Sequence, residues 1–194
     1  LPLEWFQNAG VGGTVDLEGP FLLVSQHPVT TEYGDGEAHI EETLAAVEAI
    51  DIPAIMLWPN ADAGSEDVAR GIRKFREDGR DGKMRFFKHI PTEIYFRLMK
   101  RCACMVGNSS AAIREGAFLG MPAVNVGTRQ TGRERGNNVV DVGYVASEIE
   151  SAIRSQLSNG ALASDPLYGD GGAGERIADI LSTAELRVQK RIQY

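Results

Sequence analysis

Short apolar runs alternate with amphipathic segments along almost all of this 194-residue chain, and that alternation constrains the fold more than any other feature. FLLVSQ (21–26), IPAIMLW (52–58), KMRFFK (83–88), ACMVGN (103–108), PAVNVG (122–127) and NVVDVG (138–143) are too short for helices and read as strands. Between them, Ile40, Leu44, Val47 and Ile50 fall at helical spacing, so residues 37–50 form an amphipathic helix. Ser65 is a plausible N-cap for a helix whose Val68, Ile72 and Phe75 share one face. Further helices are read at 91–102 with Pro91 in the first turn, at 110–120 and at 145–157; residues 173–193 read as helix with a break near Ser182. The start is read as loop, and SNGALASDPLYGDGGAG (158–174) as the one long connection. Apolar strands alternating with helices predict an α/β fold, a doubly wound, Rossmann-like parallel sheet, with residues 1–194 as a single domain.

Composition removes several function classes. A net charge of −7 argues against general nucleic-acid binding, which draws its affinity from a basic face. No apolar run is long enough to span a bilayer, and no leader pattern opens the chain, so no membrane partner is expected. LPLEWFQ has no initiating Met and reads as the middle of a longer chain. Cys102 and Cys104 are read as strand residues sharing one face, a poor geometry for a mutual disulfide. No further Cys completes a metal set, so both are expected to be buried filler, and no metal is expected. Free thiols fit a cytoplasmic location.

The polar residues cluster where strands end. SQHPVTTEYGDG (25–36), PNADAGS (59–65), KHIP (88–91), GNSS (107–110) and GTRQTGRERG (127–136) each follow one of the first five strands. The carboxyl edge of an open α/β sheet is where ligands bind. Ser109 and Ser110 stand at a helix start, where unpaired N–H groups and the helix dipole favour a phosphate; an ordinary N-cap explains one of the two serines, and the small Ala111 and Ala112 leave room for close approach. Glu115 is either an acceptor for ribose hydroxyls or a solvent-facing helix residue. Arg129, Arg133 and Arg135 on a glycine-rich loop suit an anion, and a solvated basic loop is the plainer reading. His27, before Pro28, is placed to donate to a phosphate or to move a proton. Asn60, Asp62 and Ser65 read equally as a turn with a cap.

Taken together, QHPVTTEYG, WPNADAGS, KHIP, GNSSAAIREGAFLGMPAVNVGTRQTGRERGNNVVDVG and LYGDG resemble the hydrolysing UDP-N-acetylglucosamine 2-epimerases, in chain order from about residue 20 to about residue 182. The resemblance implies a two-domain GT-B enzyme, of which this chain is similar to the carboxyl-terminal, UDP-binding half, and partners that are UDP or a UDP-N-acetylhexosamine and the missing amino-terminal domain. It implies that Ser109, Ser110 and the helix start with Ala111 hold the diphosphate, Glu115 the ribose, and Arg129, with Arg133 nearby, the nucleotide. His89 and Ile90 in KHIP would pass the uracil, Asn60 would join the UDP contacts, and His27 would lie near the phosphates or reacting sugar as an auxiliary catalytic group. The implied reaction removes the proton at sugar C2 as UDP leaves C1, and water adds to the glycal to give N-acetylmannosamine, without a cofactor. Its acid/base carboxylates belong to the amino-terminal domain, so the fragment alone is expected to be inactive. A diacetamido-trideoxy sugar is the alternative substrate, and the family's homo-oligomers are not marked here by any residue. A GT-B glycosyltransferase domain and a stand-alone nucleotide-sugar binding module are the competing readings.

Overall fold

A computed structural model describes residues 3–185, the side chains of residues 3, 4 and 7 excepted. Its elements run α1 (Leu3–Asn8), β1 (Val11–Gly12), β2 (Leu22–Ser25), α2 (Gly36–Ile50), β3 (Ala54–Leu57), α3 (Ser65–Glu77), β4 (Met84–Phe87), α4 (Thr92–Arg101), β5 (Cys104–Gly107), α5 (Ser110–Leu119), β6 (Ala123–Val126), β7 (Val139–Val142), α6 (Ala146–Asn159) and α7 (Ala173–Thr183). The sheet order is β1-β4-β3-β2-β5-β6-β7. Every pairing is parallel except β1 with β4, where Val11 faces Phe86. The parallel part starts at β2 in the middle and is wound outward in both directions, as the alternation predicted.

Each inner strand is buried on both faces because two helical layers cover it. Leu22, Val24, Met56 and Val106 face α2, α3 and α6, packing with Ile40, Leu44, Ile72 and Ile153. Leu23, Ile55 and Met105 face the opposite layer, with Phe6 of α1, Leu98 and Met99 of α4, and Ala112 of α5. Each such apolar side chain contributes about 1.5–3 kcal/mol by leaving water. The outer strand β7 is half-exposed, unlike the inner strands, because no described strand pairs beyond it.

Several expectations are corrected. The opening is not loop: α1 and β1 form, and Trp5 stacks on Phe87 at 5.4 Å between ring centroids. Pro91 is the N-cap of α4 and not a first-turn residue. Cys102 caps α4 and packs in one layer while Cys104 opens β5 and packs in the other, so the two thiols do not share a face; both are buried, as expected of filler. Helix α7 ends at Thr183 with Ala184 extended, so the break read near Ser182 falls one residue beyond it, and residues 186–193 of the predicted helix lie outside the described residues. The long connection is anchored: Leu162 N–H donates to Gly120 O at 2.8 Å and Asp165 N–H to Ala117 O at 2.9 Å.

Candidate ligand site at the sheet switch point

The chain turns to opposite sides of the sheet after β2 and β5, which lie side by side, and a crevice opens at their carboxyl ends. The approach is close. Gly107 has φ +123°, and a Cβ there would sit 2.2 Å from Ser25 O. Asn108 then bridges the crevice: His27 N–H donates to its Oδ1 at 2.7 Å, and its Nδ2 donates to His27 O at 2.8 Å. The Asn108 carbonyl accepts from Gln130 Nε2 at 2.7 Å and from Arg129 Nη1 at 3.4 Å. One buried asparagine therefore fixes three loops. Sequence reasoning missed Asn108 and Gln130, although an asparagine beside a glycine at the end of a fully apolar strand was the available signal.

Ser109 is the N-cap of α5 and accepts from Ala111 N–H at 3.4 Å, so Ser110 is the first helical residue. This helix start, with its unpaired N–H groups, adjoins the carbonyl that holds Arg129. Burial raises the pKa of the Tyr95 phenol to about 12, against an opposing effect of the Ser109 hydroxyl and with smaller pushes from Cys102 and Glu115. His27 is 8% exposed. Its Nδ1 accepts from Asn60 N–H at 3.2 Å, which leaves the ring proton on Nε2, 3.3 Å from Ser25 Oγ. Burial first, and the Arg129 charge second, lower its pKa to about 4, against a smaller opposing effect of Asp62. His27 is thus neutral at pH 7.

Two cavities flank this point. The first, about 260 Å³, is lined by His27, Asn60, His89, Ile90, Ser109 and Ala111, together with Trp58 and Tyr95. The second, about 470 Å³, is lined by Thr30, Thr31, Asp62, Arg129, Gln130 and Arg133. Arg129 Nη2 lies 3.7 Å from Asp62 Oδ2, while Arg133 makes no side-chain hydrogen bond or ion pair with any described residue. Glu115 lines neither; it faces a groove of about 540 Å³ between α4, α5 and residues 168–173, close enough to Tyr95 for its charge to act there. Arg135 is turned away and pairs with Asp141 at 3.1 Å. Among the described residues no group of acidic, His and Cys side chains is arranged to hold a metal, and no helix is long and apolar enough to cross a membrane.

A doubly wound domain with a ligand crevice at its switch point is thereby defined. The sequence profile of the family "UDP-N-acetylglucosamine 2-epimerase" matches residues 6–182. The chain is 33% identical over 171 residues to the UDP-N-acetylglucosamine 2-epimerase of Neisseria meningitidis serogroup B, covering 85% of this chain and 44% of that protein. It is 30% identical over 174 residues to the hydrolysing UDP-N,N'-diacetylbacillosamine 2-epimerase of Legionella pneumophila, covering 90% and 45%. The solved UDP-GlcNAc 2-epimerase of Methanocaldococcus jannaschii, in complex with UDP-GlcNAc and UDP, superimposes with a TM-score of 0.66 at 17% identity, covering 94% of this chain and 48% of that one. This chain belongs to the UDP-N-acetylglucosamine 2-epimerase family, and its fold is that of one half of a GT-B protein. It spans about half the length of the curated relatives it matches.

Proposed function

We propose that this chain is the UDP-binding half of a hydrolysing UDP-N-acetylglucosamine 2-epimerase acting in the cytoplasm, in sialic-acid-type sugar synthesis. One observation carries the nucleotide assignment: the Arg129 guanidinium is tied to the carbonyl of Asn108, one residue before the N-cap of α5. A fixed cation and a helix N-terminus converging on one point form a diphosphate site. Ser109 and Ser110 present N–H and hydroxyl groups there, and Ala111 leaves the approach open. Trp58, His89 and Ile90 offer the first cavity to the uracil, Asn60 contributes at its rim, and Glu115 accepts from the ribose on the α5 side. Arg133 adds a second cation.

The chemistry follows from charge. When UDP leaves C1 of the sugar, negative charge builds on the diphosphate, and Arg129 with the α5 N–H groups stabilises it most in the transition state. A neutral His27 donates to a phosphate or glycosidic oxygen as an auxiliary group. The carboxylates that take the C2 proton belong to the domain outside this chain, so the chain alone binds UDP and does not turn over. The Legionella relative favours a second reading of the sugar, a diacetamido-trideoxy hexose on the same nucleotide site.

Calorimetric titration with UDP tests the nucleotide assignment. Saturable binding that weakens in Arg129→Ala and Ser109→Ala supports it; equal binding of uridine and UDP, or no effect of either substitution, refutes it. For the reaction, the longer protein is assayed for N-acetylmannosamine and UDP release from UDP-GlcNAc.

A further inference from the structure

Arg129 stands between two anchored residues, and the anchors come from different strand ends. After it, Gln130 Nε2 donates to the Asn108 carbonyl at 2.7 Å. Before it, the Thr128 hydroxyl donates to Oε1 of Glu32, the last residue of the short 3-10 turn Thr30–Glu32 in the loop after β2. The second oxygen of Glu32 is also engaged: the Tyr144 phenol donates to Oε2 at 2.7 Å. One carboxylate thus joins residues 96 and 112 positions away in the chain. Tyr144 is itself held. Its ring stacks on that of His39 in α2, 3.4 Å between centroids, and a Cβ on Gly127 would lie 2.1 Å from its Cζ. Gly127 has φ +76° and its N–H donates to Val142 O at 2.8 Å, so the chain leading into Arg129 passes against the Tyr144 ring. His39 Nδ1 lies 3.6 Å from Glu32 Oε2. Burial raises the pKa of Glu32, but the hydrogen bonds from Thr128 and Tyr144 and the charge of His39 outweigh it and keep the carboxyl below its ordinary value of 4.5. The guanidinium contacts of Arg129 are long by comparison, 3.4 Å to Asn108 O and 3.7 Å to Asp62 Oδ2. Contacts of that length do not fix a flexible side chain, so its direction depends on the backbone beneath it.

We infer that Glu32 is a positioning residue for the diphosphate site, clamping Thr128, and with it the backbone of Arg129, to the loop after β2. The inference rests on the nucleotide reading above and deepens it. Glu32 acts through its neighbours: both its carboxylate oxygens are spent on Thr128 and Tyr144, and it lines neither of the two cavities. The clamp also links the two loops that carry the charged and titratable groups, since His27 begins the loop that Glu32 closes and Arg129 follows Thr128. The sign of its effect separates a clamp from a simple charge. A carboxylate on an anion-binding edge opposes UDP through its field, so its removal by charge alone tightens binding. Removal of a clamp weakens binding, because Arg129 loses its support and must be ordered by the ligand.

The test is a double-mutant cycle in UDP binding, measured by calorimetry on the 194-residue chain as parent, Glu32→Ala, Arg129→Ala and both together. Glu32→Ala is expected to weaken UDP binding by about fivefold or more, and by less than about twofold once Arg129 is alanine. Glu32→Gln removes the charge but keeps both contacts, because hydroxyls donate and accept; it is expected to bind UDP within about twofold of the parent. Thr128→Val removes one contact and is expected to weaken UDP binding by about twofold or more, again only where Arg129 is present. It carries the cycle if Glu32→Ala does not fold. A purely structural role would lower the melting temperature without coupling to Arg129. Unchanged or tighter UDP binding in Glu32→Ala, equal effects in the two backgrounds, or Glu32→Gln as weak as Glu32→Ala overturns the positioning role and leaves the nucleotide reading standing. An Arg129→Ala chain that binds UDP as the parent does overturns the nucleotide reading and this inference with it.

Discussion

At the residue scale, the candidate site depends on a half-buried cation held by a backbone carbonyl. Arg129 is aimed by a backbone carbonyl, not by a flexible acid partner alone. Arg129→Ala is expected to weaken UDP binding by about 10–100-fold, the loss of about 1.5–3 kcal/mol for a hydrogen bond to a charged group, and to flatten its salt dependence; calorimetry at low and high ionic strength measures both. His27 gives a pH prediction. Its folded pKa, about 4, lies below the ordinary value of 6.5. The unfolded chain therefore takes up a proton first as pH falls. The stability associated with neutral His27 is complete above pH 6.5, declines between 6.5 and 4, and is flat below, with a total of about 3 kcal/mol. Urea melts across that range should show this slope in the parent and lose it in His27→Gln. A bound diphosphate stabilises the charged imidazole, so UDP should raise the His27 pKa, read from its ring carbon shifts.

At the element scale, α5 and the strand end before it make the site possible. Ser109→Ala removes the cap of α5 and is expected to cost about 1 kcal/mol of stability in addition to its effect on UDP. Gly107 is the sharper case, because its positive φ and its approach to Ser25 leave no room for a Cβ. Gly107→Ala should cost about 3 kcal/mol or more, visible as a large fall in the melting temperature, since the obstacle is backbone and cannot swing away. The helix bodies were legible from Ile40, Leu44 and Val47 or from Val68, Ile72 and Phe75, because amphipathic period is a local property, but the N-cap of α3 is Gly64 and not Ser65, which is the first helical residue. Helix α1 and strand β1 were not: the strand is only two residues, Val11–Gly12, held by its pairing to β4. The facing of Cys102 and Cys104 was also hidden, since α4 ends at one and β5 begins at the other.

At the scale of the whole molecule, stability is uneven. The centre of the sheet is sealed on both faces, whereas α7 contains no buried residue and exposes Ile177, Ile180 and Leu181. Amides of β2 and β5 should exchange with deuterium only through global unfolding, and those of α7 orders of magnitude faster, in exchange measurements on the 194-residue chain. The same unevenness suits function, because the ligand edge is built from loops fixed to the most stable strands.

The doubly wound architecture and the edge that carries the candidate site were legible in the sequence. Strand length, apolar runs and helical period are written locally, and every loop after a strand must emerge at one edge of a parallel sheet. The candidate side chains were legible too, since Ser109, Glu115, Arg129 and His27 stand in those loops or helix starts. Their grouping came from packing in three dimensions. Asn108 joins loops that are 81 and 22 residues apart in sequence. His89 and Ser109 meet in one cavity while Arg129 and Arg133 face another, and Glu115 looks into a third. Burial of His27 and the turning of Arg135 toward Asp141 follow from packing between distant segments. Such contacts depend on distances in space, and periodicity along the chain carries no record of them.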